Sequence, residues 1–180
     1  MLIDKEQSVL MVIDIQERLL PVMNEPDMVV ENTKRLIKGA SILGVDMVAS
    51  EQYPKGLGHL VDAVSSLLSD GAVREKDTFS CMADDSFAGH FNALNKTQAI
   101  ICGIEAHVCV LQTTIELIGR GVKVFVVSDA TSSRTASNHK AGLDRAKSAG
   151  AEIVTTEMVL FEWLRRAGTP EFKEISKLVK

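Results

Sequence analysis

Three side chains of complementary chemistry stand out in this chain of 180 residues: Asp14, Lys76 and Cys109. A thiol attacks a carbonyl carbon, a carboxyl takes the thiol's proton and returns it to a leaving nitrogen, and an ammonium group holds both charges in place. Cys109 carries the clearest local signal. The stretch Ala99–Thr114 reads AIICGIEAHVCVLQTT: an apolar run suited to a strand buried on both faces, a break at Gly103, then apolar residues at helical spacing from Cys109 onward (Val110, Leu111, Ile115, Leu117, Ile118). Cys109 therefore falls on a strand-to-helix turn, at or just inside the helix N-terminus. Unpaired N–H groups and the helix dipole favour an anion there, which predicts a thiol that loses its proton readily and an oxyanion received by the same groups. The other reading of Cys109 is a small buried apolar residue, as most free cysteines are.

The elements that must position these groups follow from periodicity. Apolar strands are expected at Ser8–Ile13, Val45–Ala49, Ala72–Arg74, Ile100–Cys102, Val122–Val127 and Glu152–Val154. Helical spacing fills Asp27–Leu43, Val61–Leu68, Asp84–Leu94, Cys109–Gly119 and Thr135–Ala149, with Gly44 as a stop and Ser50–Leu60 read as loop from its Pro and Gly content. A helical tail carries Phe161, Trp163 and Leu164, either for an interface or to cover the sheet edge. With no repeat, linker or composition break, residues 1–180 form one α/β domain: a doubly wound, three-layer fold, because parallel strands need right-handed helical crossovers. Such sheets bind ligands beyond the carboxyl ends of their strands. Asp14 ends strand one, Lys76 follows strand three and Cys109 follows strand four, so all three rise at one edge. Singly, Asp14 reads as a turn residue and Lys76 as a solvated charge; their joint position favours a site.

The remaining composition excludes more than it assigns. A net charge of -4 gives no electrostatic reason to expect nucleic acid or an anionic membrane surface. No apolar run approaches the roughly 20 residues that span a bilayer, and the start MLIDKEQSV is too charged for a secretory signal. Three cysteines without framework spacing point to reduced thiols and a cytoplasmic setting; Cys102 reads as packing and Cys81 as a loop residue without a task. No cofactor is expected, since Gly56–Gly58 lacks the dinucleotide fingerprint and no phosphate-binding loop is present.

Three segments, Leu10–Gln16 (LMVIDIQ), Glu75–Ser80 (EKDTFS) and Gly103–Val110 (GIEAHVCV), resemble the isochorismatase-like cysteine hydrolases, in order and across almost the whole chain. That group includes nicotinamidase, N-carbamoylsarcosine amidase, ureidoacrylate amidohydrolases and isochorismatase. Glu51–Gly58 (EQYPKGLG) resembles members whose substrates are poorly defined. The resemblance implies a six-stranded parallel sheet of order 3-2-1-4-5-6, a catalytic triad at Asp14, Lys76 and Cys109, and a homo-oligomer, dimer or tetramer. It also implies a non-proline cis peptide joining Ile104 to Glu105, aiming the N–H groups of Glu105 and Cys109 at one point as an oxyanion hole.

Two departures narrow the expected function. Nicotinamidase-type relatives hold a metal with an Asp-x-His pair after strand two, where this chain reads Ser50-Glu51-Gln52-Tyr53; His59 alone cannot assemble a site, so no metal is expected. Isochorismatases that cleave a vinyl ether lack the cysteine that stands here. The expectation is a metal-independent cysteine hydrolase acting on an amide, ureide or carbamoyl bond of a small molecule through a thioester, with a catalytically silent scaffold or a vinyl-ether hydrolase as alternatives. Gln16, Gln52, Tyr53 and Phe79 are candidates to wall the pocket. Glu105 is either a substrate contact or a buried structural carboxylate, and His107 either a substrate contact or structural. His90 and His139 read as surface residues.

Overall fold

The computed structural model describes residues 1–180. Its six strands, β1 (Ser8–Ile13), β2 (Asp46–Gln52), β3 (Val73–Lys76), β4 (Gln98–Ile104), β5 (Lys123–Ser132) and β6 (Glu152–Val154), pair in parallel in the order 3-2-1-4-5-6. β1 and β4 lie at the centre, and both are buried along their full length. Alternation along them feeds two cores. Leu10, Val12, Ile100, Cys102 and Ile104 face one apolar cluster, while Val9, Met11, Ile13, Ala99 and Ile101 face the other.

Helices cover each face. On one side lie α1 (Pro26–Leu43), α7 (Thr156–Leu164) and α8 (Pro170–Leu178), contributing Leu36, Ile37, Leu160, Trp163 and Ile175. On the other lie α4 (Asp85–Ala93), α5 (Cys109–Gly119) and α6 (Ala136–Ala149), contributing Phe87, Phe91, Val110, Leu117 and Ala146. Two short helices, α2 (Pro54–Leu57) and α3 (Asp62–Ser65), sit in the connection from β2 to β3, the first within a stretch expected to be loop. The tail covers the sheet: Trp163 is buried and donates its indole N–H to Ser8 Oγ at 3.1 Å, Leu164 joins the same cluster, and Phe161 packs on Phe172 with ring centroids 6.4 Å apart.

Strands run further toward the ligand-binding edge than apolar content alone indicates. β2 continues through Ser50, Glu51 and Gln52, because Glu51 pairs with Glu75 and Gln52 with Lys76 in register. β4 extends to Ile104 and β5 to Ser132, with a register shift between Ile101 and Gly103. Polar side chains at these ends are satisfied by specific partners rather than by solvent, which hydrophobic patterning cannot register.

Gly103 sits where β4 crosses the end of β1. Its φ of 119° lies in the region that favours glycine, and a Cβ there would be driven into the Ile13 carbonyl, directly before Asp14. Gly103→Ala should therefore cost about 3 kcal/mol, lowering the melting temperature by roughly 6–12 °C in a scanning calorimeter.

Candidate active site

Asp14 leaves the end of β1 with a φ of 53°, a left-handed conformation, its N–H donating to the Ser50 carbonyl at 3.2 Å. Lys76 closes β3, one strand beyond β2. Lys76 Nζ lies 2.8 Å from Asp14 Oδ2, and both side chains have 0% exposure. An ion pair removed from water keeps its charges only if the remaining donors and acceptors are also satisfied. Here they are. Lys76 Nζ donates to Gln52 Oε1 at 2.7 Å and to the Thr78 and Phe79 carbonyls at 3.2 Å each. Ser50 Oγ donates to Asp14 Oδ1 at 2.7 Å. Burial works to lower the Lys76 pKa, but the negative charge of Asp14 together with the nearby sulfurs outweighs it, so the net direction is upward and the ammonium persists.

Cys109 is the first residue of α5 and is 6% exposed. Its environment reverses one expectation. Burial pushes the thiol well above the ordinary range, the Asp14 charge and its hydrogen bond to the sulfur push further, and Lys76 pulls the other way without prevailing. Cys109 thus rests as a thiol with Asp14 beside it, not as a preformed thiolate. A carboxylate facing the sulfur outweighs the helix end that was expected to lower its pKa.

The turn before Cys109 has the Ile104–Glu105 peptide bond in cis. The Val108 and Val110 N–H groups both return to the Glu105 carbonyl, at 3.0 and 3.3 Å, and the Ala106 N–H donates to Ser132 at 2.7 Å. The N–H groups of Glu105 and Cys109 have no acceptor within the chain. Helix α6 packs close against this turn through Gly142, where a Cβ would lie 2.8 Å from the Ala106 carbonyl oxygen.

The other candidates separate by their partners. Gln16 is fully buried and does not line a pocket: its amide donates to the Gln52 and Gly58 carbonyls at 2.9 and 2.7 Å and accepts the Gln52 N–H at 2.7 Å. Gln52 uses its side chain on Lys76 and on the Asp77 carbonyl, so it too supports the pair instead of walling a cleft. Tyr53 and Phe79 are exposed at the rim, 57% and 55%. Glu105 turns its carboxylate to Arg134, whose Nε lies 3.3 Å away. His107 engages Ser133 Oγ at 2.9 Å through Nδ1, which commits the ring to the β5 end. Glu51 points away from the triad, accepting the Leu60 N–H at 2.7 Å and pairing with His59 at 3.0 Å, and no group of three metal-ligating side chains gathers anywhere in the chain. His139 is not a free surface residue: Nε2 lies 3.0 Å from Thr131 Oγ1, and partial burial lowers its pKa. A cavity of about 310 Å³ at this edge is lined by Tyr53, Lys55, Lys76 and Asp84 among others, but does not reach Cys109.

Sequence reasoning missed Ser50, Cys81, Thr113 and Arg134 as members of the cluster. Ser50 falls in a stretch whose Pro and Gly content reads as loop, and Cys81 in a loop without an evident task. Cys81 is fully buried, with Sγ 3.6 Å from Ser50 Oγ and its N–H on Thr113 Oγ1 at 2.9 Å, one turn along α5 from Cys109. The usable signal was spacing: Ser50 and Gln52 sit two apart on a strand that ends between Asp14 and Lys76.

Fold and site together define a doubly wound α/β protein with a sealed ion pair set against a helix-end thiol. Comparison with known proteins agrees. The Isochorismatase domain matches residues 8–158. A secreted isochorismatase effector, Isc1, of Phytophthora sojae is 38% identical over 178 residues, covering 96% of this chain and 84% of that protein. The structure described as MAR1 ribonuclease from Caenorhabditis elegans superposes with a TM-score of 0.93 at 35% identity, covering 99% of this chain and 92% of that one. The Escherichia coli YcaC product, described as an octameric hydrolase of unknown specificity, shares the fold with a TM-score of 0.93 at 24% identity, covering 98% and 90%. The chain belongs to the isochorismatase family, and its fold is that family's hydrolase fold.

The three thiols set an alkaline limit on stability. Burial raises Cys81 to about 11 and Cys102 to about 12 from an ordinary 9.0, and moves Cys109 the same way. The unfolded chain loses these protons first as pH rises past 9.0, so it binds fewer protons than the folded chain and stability falls. Urea unfolding should show full stability from this source below that point and a decline above it, with a shallower slope in Cys102→Ala.

Proposed function

We propose that the protein is a metal-independent cysteine hydrolase that cleaves a carbon–nitrogen bond of a small amide, ureide or carbamoyl compound. The observation that carries this reading is the Asp14–Lys76 pair, closed to solvent and facing the Cys109 thiol. Cys109 Sγ attacks the substrate carbonyl as Asp14 takes its proton, giving a tetrahedral oxyanion received by the free N–H groups of Glu105 and Cys109. Collapse breaks the carbon–nitrogen bond, and the proton on Asp14 passes to the leaving nitrogen, leaving a thioester. Water then gives a proton to Asp14 and adds to the thioester; the acid departs and the proton returns to sulfur. Lys76 keeps its charge throughout and stabilises the carboxylate between proton transfers.

Glu51 has spent its carboxylate on His59 Nδ1 and the Leu60 N–H, and no third ligand side chain gathers with the two, so they do not replace the Asp-x-His pair. A ribonuclease activity, the description carried by the nematode neighbour, fits this site less well: Lys76 is fully engaged, and the chain's net charge is -4. Free, unbridged cysteines suit a reducing cytoplasm. We read the working form as a homo-oligomer, in line with the octameric assembly described for the E. coli neighbour.

Ammonia release from a panel of small amides, ureides and carbamoyl compounds tests the reading. At least one should be turned over, with Cys109→Ala lowering the rate by about 10³-fold or more while its melting temperature stays near that of the parent protein. Retained hydrolysis in Cys109→Ala, or inactivity on the whole panel, refutes it and favours a silent scaffold. Activity should also survive exhaustive chelation; a requirement for added zinc contradicts the metal-free assignment.

A further inference from the structure

We propose that Ser50 is a positioning residue for Asp14, with Cys81 fixing the direction of its hydroxyl; this deepens the reading of Asp14 as the base and rests on it. Ser50 is fully buried at the end of β2. Its hydroxyl donates to Asp14 Oδ1 at 2.7 Å, while Lys76 occupies Oδ2 at 2.8 Å. Held at both oxygens, the carboxylate is kept from rotating about its bond to the chain and stays facing the Cys109 sulfur.

A serine hydroxyl can turn toward any nearby acceptor, so a donor must occupy its lone pair if the proton is to stay on the Asp14 side. Cys81 fills that place. Its S–H donates to Ser50 Oγ at 3.6 Å, and burial keeps it a protonated thiol at neutral pH. Cys81 is itself pinned by Thr113 on the nucleophile helix, so the chain Cys81, Ser50, Asp14 ties the base to the element that carries Cys109. When Asp14 takes up the thiol proton, Ser50 retains a hydrogen-bond partner in either protonation state, because a hydroxyl both donates and accepts.

A hydrogen bond given to a carboxylate favours its ionised form, so losing it raises the pH at which Asp14 becomes an effective base. Alkylation of Cys109 by iodoacetamide, followed at that cysteine by peptide mass spectrometry across pH, reads this property without a natural substrate. In Ser50→Ala the acid limb of the rate profile should move up by about one pH unit, a loss of about tenfold in rate along that limb, and Ser50→Thr should stay near the wild-type curve. Should Ser50→Ala not fold, Cys81→Ala should move the limb in the same direction by about threefold in rate. A folded Ser50→Ala protein that melts earlier but keeps the limb in place overturns this inference alone, provided Asp14→Asn removes the limb. A limb that survives Asp14→Asn overturns the reading of Asp14 as the base.

Discussion

One fully sealed ion pair dictates the arrangement around it. Taking a carboxylate and an ammonium out of water costs several kcal/mol for each ion, and their mutual attraction offsets this only when every remaining lone pair and proton finds a partner. Lys76 has three protons and places one on Asp14, one on Gln52 and the third shared between the carbonyls of Thr78 and Phe79; Asp14 has two oxygens and receives Lys76 on one and Ser50 on the other. The loop after β3 is consequently fixed by its own backbone carbonyls. Two of the residues that look like pocket walls in sequence, Gln16 and Gln52, serve this closure.

The same closure decides the protonation state of the thiol that faces it. Asp14 and Lys76 cancel in charge, so a thiol leaves the cluster neutral, whereas a thiolate would leave a net negative charge with little water to solvate it. That is why burial and the facing carboxylate together hold the proton on Cys109. Attack as proposed above would move charge without creating it: the proton would pass from sulfur to carboxylate while negative charge passes from carboxylate through sulfur to the substrate oxygen. The N–H groups of Glu105 and Cys109, left without acceptors in the chain, are the donors the proposed mechanism assigns to that oxygen.

Much of this was legible in the sequence. The alternation of apolar strands and amphipathic helices fixes a parallel sheet, and the rule that ligands bind at strand carboxyl ends brings Asp14, Lys76 and Cys109 to one edge without coordinates. Strand order came from family resemblance, since periodicity does not say which strands are neighbours. The strand ends were misjudged for a definite reason. Ser50, Glu51 and Gln52 are polar, and a pattern that equates burial with apolarity ends β2 at Ala49, although all three are buried through specific hydrogen bonds. Cys81 escaped for the converse reason: a cysteine in a polar loop gives no hint of its neighbours until the loop is folded back onto α5.

The polar end of β2 also shows why register matters more here than side-chain chemistry alone. Successive strand residues point to opposite faces, so Ser50 and Gln52 reach the ion pair while Glu51 turns to Leu60 and His59. A slip of one residue would present the Glu51 carboxylate to Asp14, setting two like charges together in a dry site and leaving Lys76 shared between them. Gln16 opposes that slip. Its amide accepts the Gln52 N–H and donates to the Gln52 carbonyl, reproducing with a side chain the two bonds a neighbouring strand would make. The strand end is thereby locked in the one register that gives Asp14 and Lys76 their partners, and the buried glutamine, whose own N–H donates to the Asp14 carbonyl at 2.8 Å, is explained by the ion pair it supports.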